Sequence, residues 1–299
     1  MSHNMNQSVI EISDLSKHYG KARGIDHVNL EIREGEIFGF IGPNGAGKST
    51  TIRILLNLIF PSGGTAEIMG MDVIRHTKEI KQVTGYIPSD AVVYPSMRVI
   101  EFLLYCLRFY ANRNGEQRIK DLCERFELDP FRRISDLSMG NRKKVSIVQS
   151  LVHQPRLLIL DEPTTGLDPL MQEKFFDLLR EENRKGMTVF FSSHILSEVQ
   201  LLCKRVAIIR EGKIIKVEEI EALRKKQLKK VHVEFAEATD KSVIQIPGMV
   251  NPEYSSGNIL SFVYQDDLNR LITFLSERKI LNLRVEEPSL EEIFLHYYR

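Results

Sequence analysis

The segment Gly42-Pro43-Asn44-Gly45-Ala46-Gly47-Lys48-Ser49-Thr50 decides the reading of this chain. It has the form G-x4-G-K-[ST], a phosphate-cradling loop wherever a strand precedes it and a helix follows. Both flanks fit. EIFGFI, ending at Ile41, reads as a strand. In STTIRILLNLIF, Ile52, Leu55, Leu56 and Ile59 fall at i, i+3, i+4 and i+7, one face of a helix. Pro61 and Gly63-Gly64 are the predicted stop of that helix. Each residue type has a physical reason. Glycines let backbone N–H groups turn inward around phosphate oxygens without Cβ obstruction. The helix N-terminus adds partial positive charge. Lys48 reaches the outer phosphates, and Ser49 offers a hydroxyl to Mg2+.

A second signal lies about 110 residues on. Leu157-Leu158-Ile159-Leu160-Asp161-Glu162 is a short apolar run ending in two carboxylates. A continuous apolar run suits a parallel strand buried on both faces. Asp161 at its tip is a candidate for holding Mg2+ through water, and Glu162 for orienting or deprotonating an attacking water.

Outward from these two points, short runs alternate between apolar and polar before Gly42: VIEISDL, VNLEI and EIFGFI. TAEIMG and VTGYIP read as further strands. Residues from about 98 to 152 read as mostly helical, broken near Asn112 to Gly115 and at Leu128 to Asp136. A helix is predicted from about Leu170 to Asn183, MTVFFSS is a buried strand, and VAIIR-EG-KIIKV is a hairpin turning at Glu211-Gly212. Buried strands alternating with helices give an α/β domain with a parallel sheet. EALRKKQLKK reads as a solvated helix end or linker. Beyond it, VHVEF, ILSFVY, LNRLITFLSER, ILNLRV and SLEEIFLHYY make a small α+β unit. The first dozen residues, MSHNMNQSVIEI, begin polar and read as frayed.

The 299 residues suit about two domains. With 41 Lys and Arg against 40 Asp and Glu, bulk charge gives no grip on nucleic acid, and none is expected as partner. Cys106, Cys123 and Cys203 are too few and too scattered for a disulfide framework or a metal knuckle, which fits a reducing cytosol. No signal peptide is read at the start, and no window reaches about 18 consecutive apolar residues, so the chain is not expected to span a membrane by itself.

In this order the motifs resemble those of the ATP-binding subunits of ABC transporters, over about residues 8 to 220. Gly42 to Thr50 looks like Walker A, and Leu157 to Glu162 like Walker B. Tyr19 sits where the family stacks an aromatic on adenine. Leu137-Ser138-Met139-Gly140-Asn141 matches the LSGGQ-like signature, Gly166-Leu167-Asp168-Pro169 the D-loop, and Ser192-Ser193-His194 the switch histidine. The resemblance implies a P-loop NTPase fold with an antiparallel β subdomain and a helical subdomain (about residues 88–140). That domain takes residues 1–222, and residues 223–299 form an accessory α+β domain.

It further implies ATP and Mg2+ as ligands, with Lys48, Glu162 and His194 as catalytic residues and His194 sensing the γ-phosphate. Ser138 and Gly140 of one subunit would close over ATP held by another. The expected assembly is a homodimer, or a pair with a similar subunit, driving a separate membrane-spanning subunit from the cytoplasmic face. Tyr94-Pro95, Met97 and FLLYCLRFY are candidates for the docking surface, although FLLYCLRFY equally suits subdomain core.

Two departures stand out. Where the family's Q-loop carries Gln or Glu, GYIPSD has Ser89, followed by Asp90; Ser89 is too short to reach Mg2+ as a glutamine would, and Asp90 is the alternative ligand. The signature has Met139 and Asn141 in place of Gly and Gln, while Ser138 and Gly140 persist. The ending EEPSLEEIFLHYY resembles the accessory domain of bacterial drug- and bacteriocin-resistance exporters, which favours export; Leu290, Ile293, Phe294 and Tyr297 also form a packing stripe. The competing readings are a soluble ABC ATPase acting on ribosomes or DNA, and a regulatory subunit that uses ATP as a switch with little hydrolysis.

Overall fold

The computed structural model describes residues 8–20, 22–91, 93–110, 115–225, 229–237, 246–255 and 258–286. The chain divides into two compact units, Met1–Val217 and Glu218–Arg299.

The larger unit opens with strands β1 (Ser8–Tyr19) and β2 (Ala22–Arg33), paired antiparallel. Ile10 and Ile12 of β1 are buried and alternate with exposed Glu11 and Ser13, the period of a half-buried strand, and a register shift between Ile12 and Leu15, with Asp14 at φ 53°, returns Leu15 to the core. Next come β3 (Ile37–Ile41) and helix α1 (Lys48–Leu55). The helix ends earlier than the apolar periodicity predicts, well before Pro61. Asn57 adopts a left-handed φ of 49°. Its N–H donates to Ile54 O at 2.9 Å, and the Leu58 N–H donates to Arg53 O at 2.8 Å. This is a Schellman cap, with Asn where glycine more often sits. Strands β4 (Gly63–Ile68) and β5 (Met71–Asp72) complete an antiparallel sheet of order β2-β1-β4-β5.

Helix α2 (Thr77–Val83) leads into β6 (Thr84–Ile87). Three helices follow, α3 (Val99–Leu107), α4 (Glu116–Arg125) and α5 (Met139–Leu151), packed on one another, with a 3-10 turn at Ile134–Asp136. The break predicted near Asn112 falls on residues outside those described. Then come β7 (Leu157–Asp161), α6 (Pro169–Arg184), β8 (Thr188–Ser193), α7 (Leu196–Leu202), β9 (Arg205–Arg210) and β10 (Lys213–Glu219). These strands join β3 and β6 in the order β10-β9-β3-β8-β7-β6. The pairs β9-β3, β3-β8, β8-β7 and β7-β6 are parallel. β3, β7 and β8 are buried at every position, as their unbroken apolar sequences require. Glu211 and Gly212, both with φ above zero, turn the β9-β10 hairpin.

In the smaller unit, α8 (Ile220–Lys225) covers the start of EALRKKQLKK, whose residues 226–228 lie outside those described. Strands β11 (Lys229–Phe235), β12 (Met249–Ser255) and β13 (Ile259–Tyr264), helix α9 (Leu268–Ser276) and β14 (Ile280–Glu286) follow. The sheet is antiparallel, of order β12-β13-β11-β14. Leu271 and Leu275 of α9 join Val231, Val233, Phe235 and Phe262 in its core. β12 carries Pro252 and was not predicted; it is an edge strand, where proline is tolerated. The SLEEIFLHYY segment and the first seven residues lie outside the described residues.

Candidate functional site

Parallel register assembles the site. Ile41 at the end of β3 pairs with Ser193 at the end of β8, and Ser192 pairs with Asp161 at the end of β7. Ile87 of β6 pairs with Leu160. The loops beginning at Gly42, Glu162, His194 and Pro88 therefore leave the same edge of one sheet. In open α/β sheets that edge, beyond the carboxyl ends of the strands, is where ligands bind.

The Gly42–Thr50 loop fits its cradle closely. A Cβ on Gly42 would lie 2.2 Å from Ile209 O. Gly45 and Gly47 hold φ of 77° and 113°, a region open to glycine. Gly47 is the N-cap of α1 and provides no side-chain cap, so the first-turn N–H groups are left for an anion. Ala46 N donates to Pro43 O at 3.1 Å, and Ala46 itself is buried. Lys48 is also buried, and its ammonium donates to Gly42 O at 2.7 Å and Pro43 O at 3.2 Å. A cleft of about 210 Å³ opens here, lined by Asn44, Gly45, Lys48, Ser49, Thr50 and Glu162, with Tyr19 and Gly24 at its side. Tyr19 is 46% exposed, and the Lys17 ammonium lies 5.4 Å from its ring centroid.

The two carboxylates at the tip of β7 have different surroundings. Burial raises the Asp161 carboxyl above the usual range, while hydrogen bonds from Ser49 and Ser192 and the Lys48 charge oppose it. Glu162 has a left-handed φ of 49°, a conformation that costs a non-glycine residue roughly 1–3 kcal/mol and that clusters at functional sites. Its Oε1 lies 3.3 Å from Lys48 Nζ and its Oε2 lies 3.2 Å from His194 Nδ1. One carboxylate thus bridges the phosphate-loop lysine and the histidine. Ser49 and Asp161 form an oxygen pair suited to Mg2+, which takes few protein ligands when it also binds phosphate and water. Among the described residues, no group of three or more His, Cys, Asp or Glu could form a metal cage.

Comparison with known proteins agrees with this geometry. The ABC transporter family model matches residues 25–165. The bacitracin transport ATP-binding protein of Bacillus licheniformis is 31% identical over 306 residues, covering 96% of each chain. The chain belongs to the ATP-binding subunits of ABC transporters. A Nod factor export ATP-binding protein of Paraburkholderia xenovorans is 30% identical over 97% of each chain. Among solved structures, the dimeric structure of a bacterial ABC transporter cassette superposes with TM-score 0.65 at 25% identity, covering 71% of this chain and 98% of that one.

Other residues read from the sequence of this ATP-binding subunit lie away from the phosphate cleft. Ser138 caps α5, accepting from Asn141 N at 3.3 Å. A Cβ on Gly140 would lie 2.8 Å from Gly166 O, so the signature and D-loop segments touch. Asp168 caps α6, accepting from Met171 N at 3.0 Å. None of the three lines the cleft that Lys48 and Glu162 share. Ser89 and Asp90 line another cleft, of about 540 Å³, with Arg53, Lys81, Tyr86 and Tyr110. Tyr94 and Tyr105 of the candidate docking run are exposed, whereas Phe102, Leu103 and Leu107 are buried subdomain core.

Two contributors carried no sequence signal. Glu198, buried in the first turn of α7, accepts from Ser193 Oγ at 2.6 Å, and the same hydroxyl accepts from Ile195 N at 2.9 Å, so it shapes the loop bearing His194. Lys143 of α5 is 2% exposed and donates to Pro88 O, Ser89 O and Glu162 O. Burial pulls its pKa down to about 8, and Asp161, Asp90 and Glu162 partly offset that.

Proposed function

We propose that this subunit hydrolyses ATP to power export of a substrate through a separate membrane-spanning subunit. The observation that carries the reading is the Glu162 carboxylate held between Lys48 and His194 at the mouth of the phosphate cradle. A carboxylate so placed can orient an attacking water and take its proton. Lys48 and the α1 N-terminus would stabilise charge on the transferring phosphoryl group, and His194 would contact its outer oxygens. Ser49 and Asp161 would hold Mg2+, which supplies further neutralisation of phosphate charge when bound. Tyr19 would stack on the base, and the cradle from Gly42 through Thr50 would bind the phosphates.

Because Ser138, Gly140 and Asp168 lie outside the cleft, they are available to a second subunit's nucleotide. The dimeric form of the related cassette supports this pairing, and we infer a head-to-tail homodimer with two ATP molecules. A membrane-spanning partner is inferred from membership of the ABC transporter family. The subunit would then sit on the cytoplasmic face, bound through that partner. Export rests on the full-length similarity to the bacitracin transport and Nod factor export proteins.

The test is Glu162→Gln in the complex purified with its membrane subunit. ATP affinity by calorimetry should stay within about threefold, while turnover falls roughly 10²–10⁴-fold, the usual worth of a positioned base. Near-normal turnover would remove Glu162 from the mechanism. A wild-type complex that binds ATP but never turns it over would favour a regulatory switch.

A further inference from the structure

Among the described residues, Lys143 is a deeply buried cation to which hydrolysis as proposed gives no task. Its ammonium has three protons, and three backbone carbonyls take them: Pro88 O at 2.8 Å, Ser89 O at 2.9 Å and Glu162 O at 3.3 Å. Those acceptors belong to two different loops, one leaving β6 and one leaving β7. The lysine itself belongs to a third element, α5, whose N-cap is Ser138. One side chain therefore ties together the segment carrying Ser89, the backbone of Glu162 and the helix presenting Ser138. An apolar residue could fill the same space without desolvating a charge but would leave these three carbonyls without this donor, so the role of the cation is the tether rather than packing.

We propose that Lys143 is a positioning residue for hydrolysis, fixing the left-handed backbone of Glu162 and locking the Ser89 loop and the signature helix to it. The tether also bears on the short side chain of Ser89. In this chain the loop is held through its backbone carbonyls at residues 88 and 89, so the connection between this loop and the Glu162 backbone does not depend on a long polar side chain at residue 89. The inference rests on the catalytic reading of Glu162, and the test is arranged to separate the two.

The experiment compares wild type, Lys143→Met and Lys143→Gln as full-length chains in complex with the membrane subunit. Three quantities are read: ATP affinity by calorimetry, KM and kcat by steady-state assay, and melting temperature. K143M keeps an unbranched chain one atom shorter and loses every donor. It is expected to leave affinity and KM within threefold and to lower kcat at least tenfold. K143Q keeps two N–H donors and is expected to recover at least a third of the wild-type kcat. A merely structural lysine would move melting temperature without this split.

A K143M kcat within threefold of wild type overturns the proposal. So does a loss that appears entirely in KM, a K143Q as slow as a folded K143M, or failure of both variants to fold. If K143M alone fails to fold, a K143Q kcat above one third of wild type at unchanged KM supports the tether, and a lower one overturns it. If wild type itself shows no turnover, the hydrolysis reading fails. The tether is then judged by ATP-induced self-association, which K143M should weaken at least tenfold. Unchanged association overturns it.

Discussion

At Gly42 a Cβ would meet Ile209 O at 2.2 Å and Ile209 Cγ2 at 2.9 Å, whereas at Gly45 it would meet nothing within 4 Å. The first glycine is required for space, the second for its φ of 77°. Gly45→Ala should cost about 1–2 kcal/mol, the strain of a left-handed backbone. Gly42→Ala must push the loop off β9, an overpacking cost of about 1–3 kcal/mol, and it moves Lys48 with it. Urea denaturation should show both losses. ATP calorimetry should show Gly42→Ala losing affinity even when the protein is kept cold enough to stay folded. Equal ATP affinity in Gly42→Ala and wild type would mean that the loop accommodates the methyl group without shifting. The motif from Gly42 to Thr50 was legible because its chemistry is local: glycines, lysine and hydroxyl act within one loop. Lys143 was not legible. Its three acceptors come from residues 88, 89 and 162, and only the β6-β7 pairing brings those together with α5.

Among the elements, α5 combines two tasks at one end. Ser138 caps the helix, and in the proposed dimer the same hydroxyl faces a partner's phosphate. The tasks separate chemically. Aspartate caps a helix as well as serine does but puts a negative charge toward the phosphate. Ser138→Asp should therefore keep stability within about 0.5 kcal/mol. In a Glu162→Gln background it should abolish the ATP-induced dimer seen by analytical ultracentrifugation. Ser138→Ala should do the reverse in stability, losing about 1 kcal/mol of capping. A Ser138→Asp subunit that still dimerises with ATP would place the signature away from the nucleotide. Element types followed from period where burial was regular: the apolar runs of β3, β7 and β8 and the stripe of α9. Boundaries followed less well. α1 stops at an asparagine Schellman cap although Ile59 continues its apolar stripe, because a left-handed Asn57 costs little and satisfies the last carbonyls. Helix α7, which presents Glu198, spans only Leu196–Leu202, too short for its period to declare itself.

For the molecule as a whole, each unit has its own apolar core, one around Phe38, Phe40 and Phe190 and one around Val231, Val233 and Phe262. The phosphate cleft belongs to the larger unit alone. Calorimetric unfolding of Glu162→Gln should accordingly show two transitions. Mg-ATP at a hundred times its Kd should raise one of them by about 5–10 °C, corresponding to roughly 2.7 kcal/mol in a domain of this size. Acid should act on that same transition. His153 is 5% exposed, stacks on Tyr110 at 3.7 Å, and burial pulls its pKa down to about 4. Above about pH 6.5 neither the folded nor the unfolded chain protonates it. Between about 6.5 and 4 the unfolded chain binds a proton that the folded chain refuses, so stability falls as pH falls. From pH 7.5 to pH 5 the loss from this one group is about 2 kcal/mol. His153→Phe, which can keep the stacking and cannot titrate, should flatten that part of the pH dependence. The transition that ATP raises should move less with acid in the variant, and the other should not respond to the substitution at all. If acid lowers both transitions equally in wild type and variant, the burial of His153 is not what makes the ATP-binding unit acid-sensitive.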